Sequence, residues 1–418
     1  MKAILGCFRT TPTAAIEIEA GLAPTWLRLQ TKVLLAITRM QSLSSQHPIY
    51  GWIERGLRTR TAAVVHRSNI ENILQQFPIT TTKLEVIQPF IRAPWWTTRA
   101  SIQIAAGKDM ANTLHDALAT SPGLQNAMII YTDGSGIEGQ VGAAAFNMTT
   151  SQTSHQYLGS QTKYNVYAAE LMALDLAVNQ WQSLAHQFSE CYVFTDSQAS
   201  CSSIQKPWRQ SGQKIISSIL DHMDSILNQN SHCQLRIIWV PGHKGIQGNE
   251  QVDEEAKRAA LDPTLSSPFE YSPLKSSRVQ EIKEMAKEQW AQEWSKNKKT
   301  AAHLRRILTK PRIMHRPKLY NSIPGRNMCA KIVQLWTGHC GLNGYLHRFR
   351  IKESPLCECG CSKETVEHFL MECRRFKDAR SELRRNVGTR KMRVDRLLGD
   401  PKTIKYTAEY IKATSRLE

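Results

Sequence analysis

Four acidic residues in the middle of the chain each lie at the edge of an apolar element. Asp133 and Asp196 each follow a short run of branched and aromatic residues, Glu170 lies in an Ala-Ala-Glu-Leu sequence, and Asp253 ends a Gly-Asn-Glu-Gln-Val-Asp sequence. Mg²⁺ prefers oxygen ligands, and two such ions held by carboxylates can activate a water and stabilise a leaving oxygen. The pattern therefore favours a site for two Mg²⁺ ions, with Mn²⁺ as the substitute, suited to phosphodiester cleavage.

Each acid alone also has an ordinary structural explanation. Asp133 precedes glycine, as turn aspartates often do. Glu170 could be an exposed helix acid, Asp196 a cap for the helix that begins near Ser197, and Asp253 a surface acid beside two glutamates. Their joint position at the ends of elements favours the functional interpretation, because crowded carboxylates raise one another's pKa unless cations neutralise them.

The segment 126–261 alternates between strand and helix patterns. Three opening strands, followed by alternating helices and strands, predict an α/β fold with a mixed sheet and helices on its faces. In such sheets functional groups gather where strands end. After a first strand that ends at Asp133, we predict strands at 141–148, 155–159, 191–195 and 235–240, and helices at 166–181, 214–227 and 248–260.

Four motifs in this segment resemble the ribonuclease H family, especially the version carried by non-LTR (LINE-type) retrotransposons. They are Tyr-Thr-Asp-Gly-Ser-Gly from 131, Ala-Ala-Glu-Leu from 168, Phe-Thr-Asp-Ser from 194, and Val-Pro-Gly-His-Lys-Gly-Ile-Gln-Gly-Asn-Glu-Gln-Val-Asp from 240. The resemblance implies a ribonuclease H-like five-stranded mixed sheet. Val252 stands where a small alanine is common in the family, and we expect this to alter packing rather than chemistry.

The resemblance also implies roles for individual residues. Asp133, Glu170, Asp196 and Asp253 would hold two Mg²⁺ ions, and His243, on a loop between glycines, would assist proton transfer or product release. The alternative for His243 is a turn histidine with no special role. The substrate implied by the family is an RNA–DNA hybrid, whose RNA strand is cut to leave a 3′-hydroxyl and a 5′-phosphate.

A loop after the third acid combines basic and aromatic residues, namely Lys206, Trp208 and Arg209. This combination suits a nucleic-acid backbone, although a solvated loop would have the same composition. We also expect Gly134 and Ser135, in the turn after Asp133, to contact the substrate.

Cysteines cluster near the end of the chain. Two close thiols followed by a His and a Cys one helical turn apart can form a tetrahedral Zn²⁺ site, and we predict the ligands Cys357, Cys359, His368 and Cys373, with Cys361 as the spare. The stretch has few apolar residues, so we expect one structural zinc ion to supply its folding free energy.

Charge is distributed unevenly along the 418 residues. Residues 1–270 carry 21 Lys and Arg against 21 Asp and Glu, whereas residues 271–418 carry 33 against 15. A basic excess of this kind is compatible with nucleic acid, an anionic membrane or simple solubility. No signal peptide or membrane span is recognisable, and we therefore expect an intracellular protein of the nucleus or cytoplasm with its cysteines reduced.

The chain divides by pattern into six segments. We predict a helical segment at 1–100, a linker at 101–125, the ribonuclease H-like domain at 126–261, a basic helical region at 262–350, a zinc knuckle at 351–380 and a basic tail at 381–418. The segment 1–40 resembles the region after a reverse-transcriptase palm, and the segment 334–373 resembles the tail of fungal-type LINE open reading frames. The chain thus resembles the C-terminal part of a longer polyprotein or a truncated element copy.

Two functions remain open at this point. The first is an endonuclease that hydrolyses the RNA strand of a hybrid, with a reverse transcriptase supplied in cis or in trans. The second is a catalytically idle remnant that binds RNA or single-stranded nucleic acid through the basic tail and the zinc knuckle. The presence of all four acids favours the enzyme, because a protein that only binds nucleic acid would not need them. A relic without a cellular role is a third alternative.

Overall fold

The computed structural model describes residues 1–51, 83–119, 121, 124, 126–242, 245–266, 271–296, 300–308, 310–311, 319–323 and 325–417. The chain forms two compact units. The central unit is Lys32–Lys283, and the terminal unit combines Met1–Thr31 with Glu284–Glu418. Within the described residues, no helix combines the length and the apolar content needed to cross a membrane.

Strands are concentrated in the first half of the chain, and helices dominate the second half. The first half contains helices α1 Lys2–Leu5, α2 Thr13–Ala20 and α3 Thr25–Gln41, strand β1 Ser101–Gln103, helix α4 Lys108–Ala119, strands β2 Met128–Ile137, β3 Gln140–Asn147 and β4 Gln152–Ser160, helix α5 Val166–Leu184, strand β5 Glu190–Thr195 and helix α6 Gln198–Gln205. The second half contains helix α7 Gln213–Gln229, strand β6 Gln234–Trp239, and helices α8 Gln247–Leu261, α9 Lys275–Lys296, α10 Ala302–Ile307, α11 Arg326–Thr337, α12 Asn343–Leu346, α13 Lys377–Val387, α14 Val394–Gly399 and α15 Ile404–Thr414.

The sheet of the central unit is mixed and has six strands in the order β1-β6-β5-β2-β3-β4. Strands β2, β3 and β4 pair antiparallel, whereas β2, β5, β6 and β1 pair parallel. The sequence analysis predicted the mixed sheet and five of its strands, but the sheet has six strands and not five. The sixth strand, β1, has only three residues, which is too short for an alternating pattern.

The structure also differs from the sequence analysis in the segment 101–125. We expected a linker there, whereas the structure contains β1 and α4. Ile102 of β1 pairs with Ile237 of β6, and Leu114 and Leu118 of α4 pack against the sheet residues Tyr131 and Phe194. The sheet and its helices therefore begin upstream of the segment that carries the four motifs.

Helices cover both faces of the sheet and bury its apolar side chains. On one face, Met128 and Ile130 of β2 pack with residues of α5 and α7, including Leu171 and Ile219. On the other face, the core formed by Tyr131, Phe194 and Ile238 is closed by Val252 and Ala256 of α8. Because successive residues of a strand point to opposite faces, β2 contributes to both cores.

Local signals define where the helices near the sheet begin. The side-chain oxygen of Asn165 accepts a hydrogen bond from the Ala168 amide at 3.2 Å and caps α5. Ser197 caps α6 in the same way through the Ser200 amide, at 3.3 Å. Gly212 begins α7 with φ of 79°, a conformation that favours glycine.

The terminal unit is helical and has one apolar core. Its buried residues come from the N-terminal helices, from the end of α9 and from every helix between α10 and α15 except the short α12; they include Ile18, Leu27, Trp290, Trp294, Leu304, Trp336, Leu383, Leu397 and Tyr410. The structure thus combines parts of four segments that the sequence analysis had separated. The cysteine-rich stretch belongs to the same core, since Phe369 and Leu370 are fully buried in it.

Two glycines allow α8 to approach the sheet at backbone distance. A Cβ atom added to Gly142 of β3 would lie 2.1 Å from the Ala260 amide nitrogen, and one added to Gly248 would lie 2.2 Å from the ring of Tyr131. Contacts this short do not occur in proteins, so neither position has room for a side chain. The close approach fixes the helix that carries Asp253.

Replacing Gly142 by alanine should therefore destabilise the central unit. The new methyl group would meet the backbone of Ala259 and Ala260, and overpacking of this kind typically costs roughly 1–3 kcal/mol of unfolding free energy. Urea unfolding measures the change. Gly107→Ala is the control, because nothing lies within 4 Å of an added Cβ there. Equal unfolding midpoints for both variants would contradict the close approach of α8.

Candidate active site and metal sites

Three of the predicted acids come from three different elements. Asp133 lies in β2, Glu170 in the second turn of α5, and Asp196 directly after β5. Strands β2 and β5 are adjacent and parallel, with Thr132 paired to Thr195, so the two aspartates lie next to each other at the ends of that pairing. Because Ser197 supplies the cap of α6, the alternative role of Asp196 as a helix cap is wrong.

The three carboxylates form one cluster. One oxygen of each of Asp133, Glu170 and Asp196 lies within 4.8 Å of the others, a spacing at which they could hold a metal ion. Gly134 makes the approach of α5 possible, because a Cβ atom there would lie 2.5 Å from the Glu170 amide nitrogen. A Cβ atom on Gly242 would similarly lie 2.5 Å from Oδ2 of Asp196.

Asp253 lies beside this cluster rather than within it. Its charge and a side-chain hydrogen bond both act on Asp133. Its Oδ2 also accepts a hydrogen bond from Nζ of Lys257, one helical turn along α8, at 2.5 Å. Asp253 thus adjoins the cluster, and the Lys257 ammonium group pairs with it.

The electrostatics of the cluster are unfavourable when the acids are charged. Burial, followed by the charges of Asp196 and Asp253, raises the pKa of Asp133 to about 8. Burial, followed by the charges of Asp133 and Asp196, raises the pKa of Glu170 well above its ordinary value. Oε2 of Glu170 is buried and has no hydrogen-bond partner among the described residues. A bound cation would relieve both the repulsion and the unsatisfied oxygen.

The remaining predicted site residues occupy different environments. His243 lies outside the described residues, together with Lys244. Gly134 and Ser135 lie within β2 and not in the turn that we expected after Asp133, because the strand continues to Ile137; Gly134 is buried against α5. Lys206 and Arg209 are exposed.

Trp208, in the same loop, is 70% exposed, and the Lys206 ammonium lies 5.8 Å from its ring centre. This exposed loop is compatible with a substrate contact.

Two supporting residues were not found from the sequence. The indole Nε1 of Trp239 donates a hydrogen bond to the Asp196 carbonyl at 2.9 Å, which fixes the backbone that carries the acid. No local pattern points to this contact, because the two residues lie on different strands. Lys257 could have been found, since its spacing of four residues from Asp253 is the ordinary spacing of a helical ion pair.

The second cluster contains the four predicted zinc ligands. Sulfur or ring-nitrogen atoms of Cys357, Cys359, His368 and Cys373 lie within 4.8 Å of one another. Sγ of Cys357 is 3.6 Å from Sγ of Cys373, and Sγ of Cys359 is 3.3 Å from Nε2 of His368. Cys361 is exposed and lies outside the group.

The surroundings of this cluster suit a metal site. Ser362 Oγ lies 2.8 Å from Nδ1 of His368, so Nε2 is the nitrogen that faces the sulfurs. The pKa of the Cys359 thiol is lowered to about 6, mainly by a hydrogen bond from the Cys361 amide. A thiolate and an oriented imidazole are the species that bind zinc.

Core packing also holds this stretch, contrary to our expectation that zinc alone would do so. Phe369 and Leu370 are fully buried, and the Tyr410 hydroxyl donates to the Phe369 carbonyl at 2.5 Å. Glu364, which is 1% exposed, is held by the Arg416 guanidinium and by the Asn343 amide. The sequence did not reveal this, because the partners lie about 20 to 50 residues away.

The mixed sheet carries one carboxylate within β2 and one directly after β5, an arrangement suited to a hydrolase with a ribonuclease H-like fold. Residues 125–261 match the model of the RNase H family, so this segment is a ribonuclease H domain. The match agrees closely with the segment 126–261 expected from the motifs. It supports ribonuclease H hydrolase activity, and divalent metal ions are typical of this family.

Over a longer stretch the chain is homologous to retrotransposon polyproteins. It is 27% identical over 229 residues to the "Retrovirus-related Pol polyprotein from type-1 retrotransposable element R1" of Popillia japonica, which covers 54% of this chain and 83% of that protein. A protein with the same description from Bradysia coprophila is 43% identical over 44 residues, covering 10% of this chain and 4% of that protein.

Solved structures with local similarity include two ribonucleases. RNase H1 from Halobacterium salinarum is 16% identical, with a TM-score of 0.25, and the match covers 32% of this chain and 96% of that one. LC11-RNase H1 from compost is 21% identical, with a TM-score of 0.26 and coverage of 32% and 96%.

The raised pKa of Asp133 leads to a pH-dependent prediction for chelator-treated protein. The folded state binds this proton more tightly than the unfolded state, whose pKa is near 3.8, so stability falls as the pH rises toward about 8. In Asp133→Asn this contribution is absent. Between pH 5 and 8.5 in EDTA, the melting temperature of the variant should fall less steeply and equal or exceed that of the unmodified protein at pH 8. A pH-independent difference between the two would contradict the repulsion.

The cysteine cluster leads to a prediction about metal content. Protein purified without chelators should contain about one Zn²⁺ per chain, because all four ligands come from the protein. Cys373→Ala and His368→Ala should lose the metal and expose the loop 357–363 to protease, whereas Cys361→Ala should keep it. Elemental analysis with limited proteolysis tests this. A metal-free yet protease-resistant loop would instead show that core packing is sufficient.

Proposed function

We propose that this protein hydrolyses the RNA strand of RNA–DNA hybrids by two-metal catalysis. The observation that carries the proposal is the cluster of Asp133, Glu170 and Asp196, whose ligand oxygens lie within 4.8 Å of one another on a ribonuclease H domain. Burial and the charges of neighbouring acids raise the pKa of Asp133 and Glu170, an arrangement that a bound cation would stabilise.

The residues present fit two Mg²⁺ or Mn²⁺ ions. Asp133, Glu170, Asp196 and Asp253 supply only oxygen ligands, and Oε2 of Glu170 is buried without a partner among the described residues. Such ions activate a water and stabilise the leaving oxygen. The chain itself orients the acids: β2 and β5 fix the two aspartates, the Trp239 indole holds the Asp196 backbone, and the Lys257 ammonium group bonds Asp253. His243 would move a proton during attack or product release.

Hybrid recognition would rest on duplex shape and 2′-hydroxyls rather than on base edges. Gly134 and Ser135 would approach the backbone beside the acids, while Lys206, Trp208 and Arg209 would contact it from the exposed loop. The products would carry a 3′-hydroxyl and a 5′-phosphate. Homology to a Pol polyprotein suggests that the activity serves a retrotransposon inside the cell, in the nucleus or cytoplasm, with a reverse transcriptase in cis or in trans.

The terminal unit would bind nucleic acid. Helix α13 follows the cysteine cluster and presents exposed Arg384 and Arg385 beside its buried Leu383. The zinc ion would be structural, holding Cys357, Cys359, His368 and Cys373 next to this basic helix. A catalytically idle binding remnant is the alternative function, and it requires the terminal unit but not the carboxylate cluster.

Replacing the central aspartates by asparagine should abolish cleavage. Asp133→Asn and Asp196→Asn keep the side-chain shape but remove anionic ligands, so the rate should fall on the order of 10³-fold or more while the fold survives. Cleavage of a labelled hybrid, with and without Mg²⁺, measures this. Glu254→Gln is the matched control, because Glu254 adjoins Asp253 but is exposed. Comparable cleavage by Asp133→Asn would refute the assignment.

Neutralising the basic helix should change the salt dependence of binding. Each phosphate contact contributes about −0.9 to the log–log slope on a B-form duplex, so Arg384→Gln with Arg385→Gln should reduce the slope by up to about 1.8. Hybrid binding in EDTA at several salt concentrations tests this. A double control, Lys32→Gln with Lys108→Gln, removes the same charge from exposed sites of the central unit. If both pairs give the same slope, α13 does not contact the phosphates.

A further inference from the structure

A segment upstream of the ribonuclease H domain is fastened to the loop that carries Trp208. Glu85 is 5% exposed, and its carboxylate accepts three hydrogen bonds. Oε2 accepts from the Gly212 amide at 2.8 Å, and Oε1 accepts from the Lys275 amide at 2.8 Å and from the Ser211 hydroxyl. One buried acid thus joins residues from before, within and after the domain.

A second buried side chain ties the same two segments together. Gln213 is 2% exposed, and its amide group bonds both backbone groups of Gln88: Oε1 accepts from the Gln88 amide at 2.7 Å, and Nε2 donates to the Gln88 carbonyl at 2.9 Å. Nε2 also lies 3.5 Å from the Trp208 carbonyl. The upstream segment therefore bonds residues 211–213 through Glu85 and Gln88, and Gln213 in turn contacts the Trp208 backbone.

The network continues to the helix that carries Glu170. The Ser211 hydroxyl lies 3.0 Å from that of Ser276, and Nδ2 of Asn165 donates to Ser276 at 3.0 Å. Asn165 is the cap of α5, five residues before Glu170. The loop also packs closely on α5, because a Cβ atom added to Gly212 would lie 2.8 Å from Cδ1 of Leu171. The hydrogen-bond network around Glu85 and the acidic cluster therefore both include residues at the start of α5.

We infer that Glu85 is a positioning residue for hybrid binding, acting through the loop 206–212. The inference rests on the proposed function, since it assigns the hybrid as the ligand of that loop. The buried carboxylate of Glu85 is the acceptor for three donors. Each of these donors would destabilise the fold if it were buried without an acceptor. The carboxylate thereby holds Trp208 and its basic neighbours in one arrangement, so that binding does not have to order them. The upstream segment 83–91 belongs functionally to the nuclease.

Glu85→Gln in the full chain tests this, because an amide presents N–H groups to donors that need an acceptor. We expect KM for the hybrid, and its Kd in EDTA, to rise about tenfold while kcat changes by less than about twofold. Asp175→Asn is the matched control. Asp175 is a second buried acid of this unit, bonded to His222 at 3.0 Å and away from the loop. It should lower thermal stability without changing KM.

A double-mutant cycle separates positioning from general destabilisation. If Glu85 acts through the loop, Glu85→Gln should have little further effect on Kd in a Trp208→Ala background. An unchanged KM and Kd in Glu85→Gln, or an equal loss in both backgrounds, would overturn the inference while leaving the proposed function intact. Conversely, an unmodified protein that binds the hybrid without cleaving it would overturn the proposed function, and the Kd comparison in EDTA would still decide the role of Glu85.

Discussion

Repulsion among buried carboxylates is the constraint on which the central unit depends. Asp133 and Glu170 are less than 10% exposed, and burial together with the charges of neighbouring acids raises the pKa of both. Repulsion between the charged acids opposes their assembly, so the surrounding structure must impose it. Two adjacent parallel strands hold the aspartates, and the backbone contact at Gly134 holds Glu170 against them. The core packing of the sheet thus stores electrostatic free energy that a bound cation would release.

Most of this site could be predicted from the sequence because its signals are local. Each acid adjoins an apolar run or a small-residue sequence, and the order of strand and helix patterns predicts a mixed sheet. The contacts that support the acids are different. Trp239 reaches the Asp196 carbonyl from the neighbouring strand, 43 residues along the chain, and Glu85 reaches Gly212 over 127 residues. Neither has a periodic or spacing signal, so only the folded chain reveals them.

The structure gathers the four predicted zinc ligands, but it contradicts the expectation that zinc alone holds the cysteine-rich stretch. The spacing of the Cys and His residues is a local sequence signal, and it predicted the same four residues that lie together in the structure. The expectation that zinc supplies the folding free energy also relied on local sequence, namely the few apolar residues of the stretch. The core that buries Phe369 and Leu370 comes from distant helices. Arg416, two residues from the chain end, neutralises Glu364 beside this stretch. Metal binding there would add to an existing anchor, so its loss should open the loop and leave the unit folded.

The segment that matches the RNase H family is shorter than the compact unit that contains it. The match to the RNase H family covers residues 125–261, whereas the compact unit runs from Lys32 to Lys283. Strand β1 extends the sheet at one edge, and the Glu85 carboxylate fastens both flanks to the start of α7. A fragment cut at the family boundaries would leave the Gly212 amide and the Ser211 hydroxyl without their buried acceptor. The donors around Glu85 therefore make the flanks part of the fold, and any isolated domain should include at least residues 83–276.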